Sequence, residues 1–397
     1  MSDDAPNRDP RRWRVVVAFL LAAGLTQAVW LNDAPLVSFL EERYGISEDT
    51  AGLPILVFPL LYVVLSIPSG LLIDRRGYRW TLRAAVVAMA VLALARALDL
   101  GFVWLVLLQA GLAVVQPFVV NVISKLVLDW FEPDEAVLAT GLGTMGMFLG
   151  MAAGLAATPP MVHAWGYEGA MFAWGLVAVA IGGLCFAWIE EHHGRGGSVA
   201  VGGVRAMLRE RPLVLTWLLA LLGLGYFNGL TTWLEPIVAP NGLDADQAGL
   251  AGGVLVVGGI VGAVAIPAAA DVVHRRKPFV VGSVLAALLT LAPVVVSRSP
   301  SVVYATAALQ GFFFLPAFAL LLDICAALAG EARAGSATGM LMLAGNGGGV
   351  LVIVAMALLR DGTGTWDAAN ILLGGLLFVA AVGAMFLPET GAGTATG

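Results

Sequence analysis

The residues of this chain that can do chemistry are few, and most sit inside apolar segments. They are Gln27, Trp30, Asn32 and Asp33; Gln109, Gln116 and Asn121; Tyr226, Asn228, Thr231, Thr232, Trp233 and Glu235; and Gln310, followed by Phe312 to Phe314. A polar group in hydrocarbon is costly unless it faces a cavity or a partner helix, so those that persist are candidates for function. Amides beside aromatic rings can hold a compact cation or zwitterion. An aromatic face attracts a quaternary ammonium by about 0.5–2 kcal/mol per contact. Buried carboxylates can draw in cations or carry a proton. Catalysis fits poorly. His163, His192, His193 and His274 lack metal-ligand spacing, and no Ser/His/Asp set is apparent. Cys185 and Cys325 lie in apolar runs, which implies neither a disulfide framework nor a metal cluster. No cofactor and no metal are expected.

The elements that position these residues are membrane helices. The chain is 59% hydrophobic and 12% charged, with a mean hydropathy of +0.90, far outside the soluble range. Runs long enough to span a bilayer, about 20 residues each, fall at 14–39, 50–72, 79–98, 102–127, 136–163, 168–189, 212–238, 246–270, 278–297, 301–328, 332–359 and 366–387. They are numbered helices 1 to 12. The expected architecture is an all-α integral membrane protein with two pseudo-symmetric six-helix halves, 14–189 and 212–387. A tail at 1–13, a linker at 190–211 and a tail at 388–397 complete it. That leaves no room for a soluble catalytic or DNA-binding domain, and no basic stripe suggests nucleic acid. The first apolar run is too long for a signal peptide and contains Asn32 and Asp33, so it reads as a permanent helix.

With the N-terminus inside, 17 of the 21 Lys and Arg residues fall in cytoplasmic segments; only Arg43, Arg96, Arg298 and Arg360 fall outside. The positive-inside rule therefore predicts cytoplasmic termini and a protein of the cytoplasmic membrane, with the bilayer and a small solute as its partners. A monomer is expected.

The two halves repeat each other. Gly45 to Leu53 (GISEDTAGL) recurs as Gly242 to Leu250 (GLDADQAGL), Ala139-Thr140-Gly141 as Ala337-Thr338-Gly339, and Asp74 as Asp271, each beside basic residues. Duplicated bundles of this kind work by rocking about a site between their halves. Lys125 and Asp323 occupy repeat-equivalent positions near the cytoplasmic ends of helices 4 and 10. The expectation is a salt bridge that closes the inner gate; the plainer reading is two side chains snorkelling separately to water.

Between helices 2 and 3 the chain reads Gly70-Leu-Leu-Ile-Asp74-Arg75-Arg76-Gly77-Tyr78-Arg79. This resembles the signature loop of the major facilitator superfamily. Gly70 would allow close helix approach, Gly77 a tight turn, and Asp74 a contact with the positive end of a neighbouring helix. In that family the neighbour is helix 11, and the contact stabilises the outward-facing state. The second copy departs from the pattern at Ala268 and Val273-His274, so the role of Asp271 is less well defined. The stretch Gln116-Pro117-Phe118…Ser124-Lys125…Trp130-Phe131-Glu132…Glu135, then Gly146, Gly150 and Gly154, resembles one branch, the feline leukaemia virus subgroup C receptor family of haem and choline or ethanolamine transporters. Trp30 and Tyr44-Gly45, and Gly339-Met340-Leu341…Gly349, do so as well.

The superfamily resemblance implies that helices 1, 4, 7 and 10 line a central cavity. The branch resemblance implies that Trp30 meets an ammonium group and that Gln116 is the helix-4 glutamine of the site. Asn228 stands where the branch has Tyr. Gln27, Tyr226 and Asn228 lie near the midplane. Gln109 and Gln310 suit interhelical hydrogen bonds as well as substrate contact, and Trp30 would also serve as an interfacial anchor. Asp33 and Glu235 follow Trp30-Leu31 and Trp233-Leu234 in corresponding places. They would draw cations into an outer vestibule or carry a coupled proton; the alternative is a solvated carboxylate at the outer rim. The function expected is alternating-access transport of a small organic solute, a choline-like cation or zwitterion first. Its rivals are a proton-coupled multidrug or metabolite exporter, disfavoured because helix 4 has no Arg, and a non-transporting sensor. An enzyme is not expected.

Overall fold

The computed structural model describes residues 9, 11–131, 133–190, 207–330 and 333–389. Among these the chain is helical throughout, without strands. Helix 1 is Arg12–Leu31, helix 2 Leu53–Arg76 and helix 3 Tyr78–Ala95. Helix 4 is Phe102–Val120, continued after Asn121 as Val122–Trp130. Helices 5 and 6 are the two arms of Pro133–Trp188, which break at Gly166 (φ 73°). Helices 7 to 12 are Arg211–Val238, Ala245–Val273, Lys277–Val296, Pro300–Ala329, Ala334–Thr363 and Asp367–Ala384. Ten segments are long and apolar enough to cross a membrane, one of them spanning both arms of the broken helix. Helix 2 completes the twelve as a 24-residue helix kept partly polar by Ser66, Ser69 and its basic end. Two short helices, Val37–Tyr44 and Glu48–Ala51, join helices 1 and 2.

Glycine decides how closely these helices pack. Gly146, Gly150 and Gly154 lie on the face of helix 5 that meets helix 1. A Cβ on Gly146 would sit 2.5 Å from the Leu20 carbonyl oxygen, and one on Gly154 equally close to that of Ala28. Gly150 sits directly on Gly24. In the second half Gly345, Gly348 and Gly349 of helix 11 meet Leu224, Leu221 and Asn228 of helix 7. Small residues let backbones approach where lipid supplies no hydrophobic drive. Gly77 (φ 81°) makes the turn between helices 2 and 3.

The two halves meet tightly at one end, the one that the distribution of basic residues leads us to expect on the outside. There Gly249 of helix 8 packs against Leu155, Pro159 and Pro35 of the first half. At the other end a Cβ on Gly70 would meet nothing within 4 Å among the described residues. The same holds at Gly339, near the start of helix 11.

Candidate functional site

Buried polar groups in native proteins are almost all hydrogen-bonded. Within the bundle, the groups already engaged by protein can be separated from those left for a ligand.

Trp30 is engaged. Its indole N–H donates to the Ile55 carbonyl at 3.0 Å. Pro59 follows four residues later inside helix 2 and has no N–H to return to that carbonyl, so Trp30 supplies the missing donor. One face of the ring stacks on Phe58, centroids 6.0 Å apart. Tyr226 and Gln310 engage each other: Gln310 Nε2 donates to Tyr226 Oη, and Gln310 Oε1 accepts from Thr290 Oγ1, both at 2.5 Å. These bonds tie helices 7, 10 and 9 together. Asn121, at the break in helix 4, accepts from Tyr62 Oη and donates to Ser69 Oγ.

Asp33 is the most heavily engaged. Arg96 Nη2 donates to both carboxylate oxygens, at 2.8 and 2.7 Å, and Arg96 Nη1 reaches Asn32 Oδ1 at 3.2 Å. Gln109 Nε2 donates to Asp33 Oδ2 at 2.9 Å, and Tyr167 Oη to Oδ1 at 3.4 Å. Asp33 and Arg96 are 0% and 2% exposed. The solvated rim carboxylate does not form, because Arg96 brings its charge inside with it. Counting Arg96 only as an outer-side base missed this pair. The available signal was an arginine within an apolar run, Leu92-Ala-Leu-Ala-Arg96-Ala-Leu98.

A second set is unspent. Gln27 Oε1 and Thr232 Oγ1 are buried with no hydrogen-bond partner, as is Gln109 Oε1. Gln116 and Asn228, 4% and 2% exposed, have no side-chain hydrogen bond among the described residues. Asn228 fits because Gly349 opposite it has no side chain. Gln116 lies two turns, about 10 Å, from Gln109 on the same face of helix 4. Gln27, Gln116, Asn228 and Thr232 thus bring uncommitted amide and hydroxyl groups from helices 1, 4 and 7. These atoms are the candidate substrate site.

Glu235 differs from Asp33. It is 5% exposed, and its Oε2 accepts the backbone N–H and the hydroxyl of Ser38, each at 3.0 Å. Ser38 lies in the first turn of Val37–Tyr44, where helix N–H groups lack internal acceptors. The contact joins the two halves, as do two others beside it. The Trp233 ring lies over Gly52, and Glu48 meets Arg360 at 3.0 Å and Trp366 at 3.4 Å.

At the cytoplasmic end Lys125 Nζ donates to the Ile73 carbonyl at 3.4 Å, and Asp323 lies 3.6 Å from Arg276. Both contacts are within a half. Arg75 is exposed. The side chains of Asp74 and Asp271 lie outside the described residues, as do residues 191–206 of the linker.

Comparison with known proteins places this arrangement. The family model described as Major Facilitator Superfamily matches residues 18–241 and 232–396. The chain belongs to the major facilitator superfamily. It is 22% identical over 412 aligned residues to a Caenorhabditis elegans protein named as an uncharacterized MFS-type transporter, covering 96% of this chain and 69% of that one. It is 28% identical to the D-galactonate transporter of Escherichia coli over 45% of this chain and 40% of that one. It is also 28% identical to the mouse choline/ethanolamine transporter FLVCR1, over 40% of this chain and 29% of that protein. Among solved structures it resembles the nucleoside transporter NupG (TM-score 0.74, 13% identity, 94% of this chain and 99% of that one). A bacterial homolog of the human lysosomal transporter Spinster, crystallised inward-facing and unoccupied, gives a TM-score of 0.70 at 13% identity, covering 96% and 95%. As a superfamily member the chain is a multi-pass membrane protein.

Proposed function

We propose that this protein is an alternating-access secondary transporter of a small organic cation or zwitterion, with a choline-like amine as the first substrate to test. The observation that carries the substrate class is the charge inventory. Among the described residues Arg96 is the only buried basic side chain, and Asp33 neutralises it at 2.7 Å. A net-anionic substrate would therefore find no buried, unpaired base among the described residues to offset its desolvation. An ammonium would find carboxamide oxygens on Gln27, Gln116 and Asn228, with Trp30, Tyr226 and Gln310 shaping the walls. Each aromatic contact with a cation contributes about 0.5–2 kcal/mol. The similarity to FLVCR1 supports this reading; the similarity to the galactonate transporter supplies its rival.

The protein acts as a monomer in the cytoplasmic membrane with both termini inside. It is driven by the substrate gradient or by a coupled proton. Where a proton is coupled, Glu235 is the carboxylate to carry it, since Asp33 is held by Arg96. Asp74 with Arg75, and Lys125 with Asp323, act as the inner gate when it closes; Asp271 is the second copy of that motif. Charge reversal at both Lys125 and Asp323 is expected to rescue what either single reversal loses.

The test is thermal stabilisation of the purified protein across choline, ethanolamine, betaine, galactonate and lipophilic drugs. A ligand of the native state raises the apparent melting temperature with concentration. Stabilisation by choline or ethanolamine, lost in Gln116→Ala and weakened in Trp30→Ala, is the expected result. Stabilisation by galactonate or drugs alone would discard the cation site.

A further inference from the structure

The seam at the outer end contains two contacts of unusual type. Glu235 on helix 7 is buried, yet among the described residues no basic side chain answers it; it accepts from the backbone N–H and the hydroxyl of Ser38 in the other half. Two residues earlier, Trp233 lays its ring over Gly52, where a Cβ would come within 2.9 Å of Trp233 Cζ2. The indole N–H of Trp233 stays in its own half, donating to Ile353 at 3.2 Å, and its ring packs 5.2 Å from that of Trp366. Trp233 is thus fixed to helix 11 and presents only its ring to the first half. Gly52 offers the matching hollow. Neither contact can survive parting of the halves at this end. The carboxylate would return to water, and the first-turn N–H of Val37–Tyr44 would lose its acceptor.

We propose that Glu235–Ser38 and Trp233–Gly52 form the outer gate of the transport cycle, the first pair as latch and the second as plug, shut in this structure. The assignment rests on the alternating-access reading and adds the residues that set how often the outer mouth opens. The latch is one-sided. The repeat-equivalent carboxylate, Asp33, is committed to Arg96 inside its own half, so of the two only Glu235 reaches across the seam. The groups facing Glu235 from neighbouring elements are Ser38 at contact distance, with Glu41 and Glu48 further off. Those two like charges weaken the latch and leave Ser38 as its holding partner.

The experiment measures the distance between spin labels on Leu100→Cys and Arg298→Cys. Both positions are exposed, in outer loops of opposite halves. Cys185 and Cys325, both buried, are replaced by Ala, and the protein is in lipid nanodiscs without substrate. The short, shut-mouth distance is expected to dominate. Ser38→Ala and Glu235→Gln should each raise the open-mouth fraction about fivefold to tenfold, the effect of weakening a hydrogen bond to a charged group. The double variant should go no further than the stronger single. Gly52→Leu should make the open distance predominate, and Gly52→Ala should move it the same way if the larger residue prevents folding. Distances unchanged in folded Ser38→Ala and Glu235→Gln overturn the latch, as does strict additivity in the double variant. No ligand is added, so a failed latch leaves the substrate reading untouched, and a wrong substrate leaves the latch standing.

Discussion

Asp33 and Glu235 occupy the same slot in the two halves of a duplicated chain, yet they live in opposite circumstances. Asp33 is locked by Arg96, Gln109 and Tyr167, drawing the ends of helices 1, 3, 4 and 6 into one network. Glu235 has no base beside it among the described residues and reaches out of its half to Ser38. The difference teaches that duplication fixed the backbone while charge partners diverged. One copy of the slot became internal bracing; the other became a contact between the two halves.

The comparison breaks most visibly at Arg96. Arg96→Met leaves Asp33 buried and uncompensated, which should cost about 3–5 kcal/mol in unfolding experiments in detergent. Adding Asp33→Asn should recover most of the loss, since the buried charge is then gone. A smaller effect is expected where helices 1 and 5 touch. Gly150→Ala forces a methyl into Gly24 and should cost about 1–3 kcal/mol. Gly347→Ala, with nothing within 4 Å, should be silent in the same assay. Smaller still, Glu235→Ala should cost no more than about 1 kcal/mol of stability, because its bonds lie between the halves. A loss as large as that of Arg96→Met would erase the distinction between the two slots.

The smallest effect is one of pH at the outer lip. Burial raises the Glu48 carboxyl above its ordinary value, and the attraction of Arg360 offsets only part of that. The shut mouth therefore holds the Glu48 proton more tightly than an open, hydrated one. The resulting preference for closure is complete below the ordinary value of about 4.3 and fades as pH rises through the raised one. Label distances between pH 4 and 7 should shorten slightly on acidification, and Glu48→Gln should reduce that slope.

Much of the architecture was legible in the sequence because lipid permits few solutions. Twelve apolar runs, the recurrence of Gly45–Leu53 at Gly242–Leu250 and the glycine spacing on helix 5 each had one physical reading. The site was only half legible. Gln27, Gln116 and Asn228 announced themselves as amides in hydrocarbon. Whether an amide is free or spent depends on a partner far away in sequence, as with Gln310 and Thr290. The Trp30–Ile55 bond needed both Pro59 and the approach of helices 1 and 2, which no local pattern specifies. Arg96 was visible as a charge, but its partner 63 residues earlier was not. The contact of Ser38 with Glu235 spans 197 residues and depends on which end of the bundle is shut.

The most direct test of the two-slot account is amide hydrogen exchange of Glu235→Gln and Asp33→Asn beside the unmodified protein. The account predicts that Glu235→Gln speeds exchange in 37–44 and around 233–238 while helices 1, 3 and 4 keep their protection. Asp33→Asn should do the reverse, loosening the ends of helices 1, 3 and 4 and leaving the 233–238 stretch as it was. Exchange rising across both halves in either variant would contradict the account, for then neither carboxylate belongs to one half or to the seam.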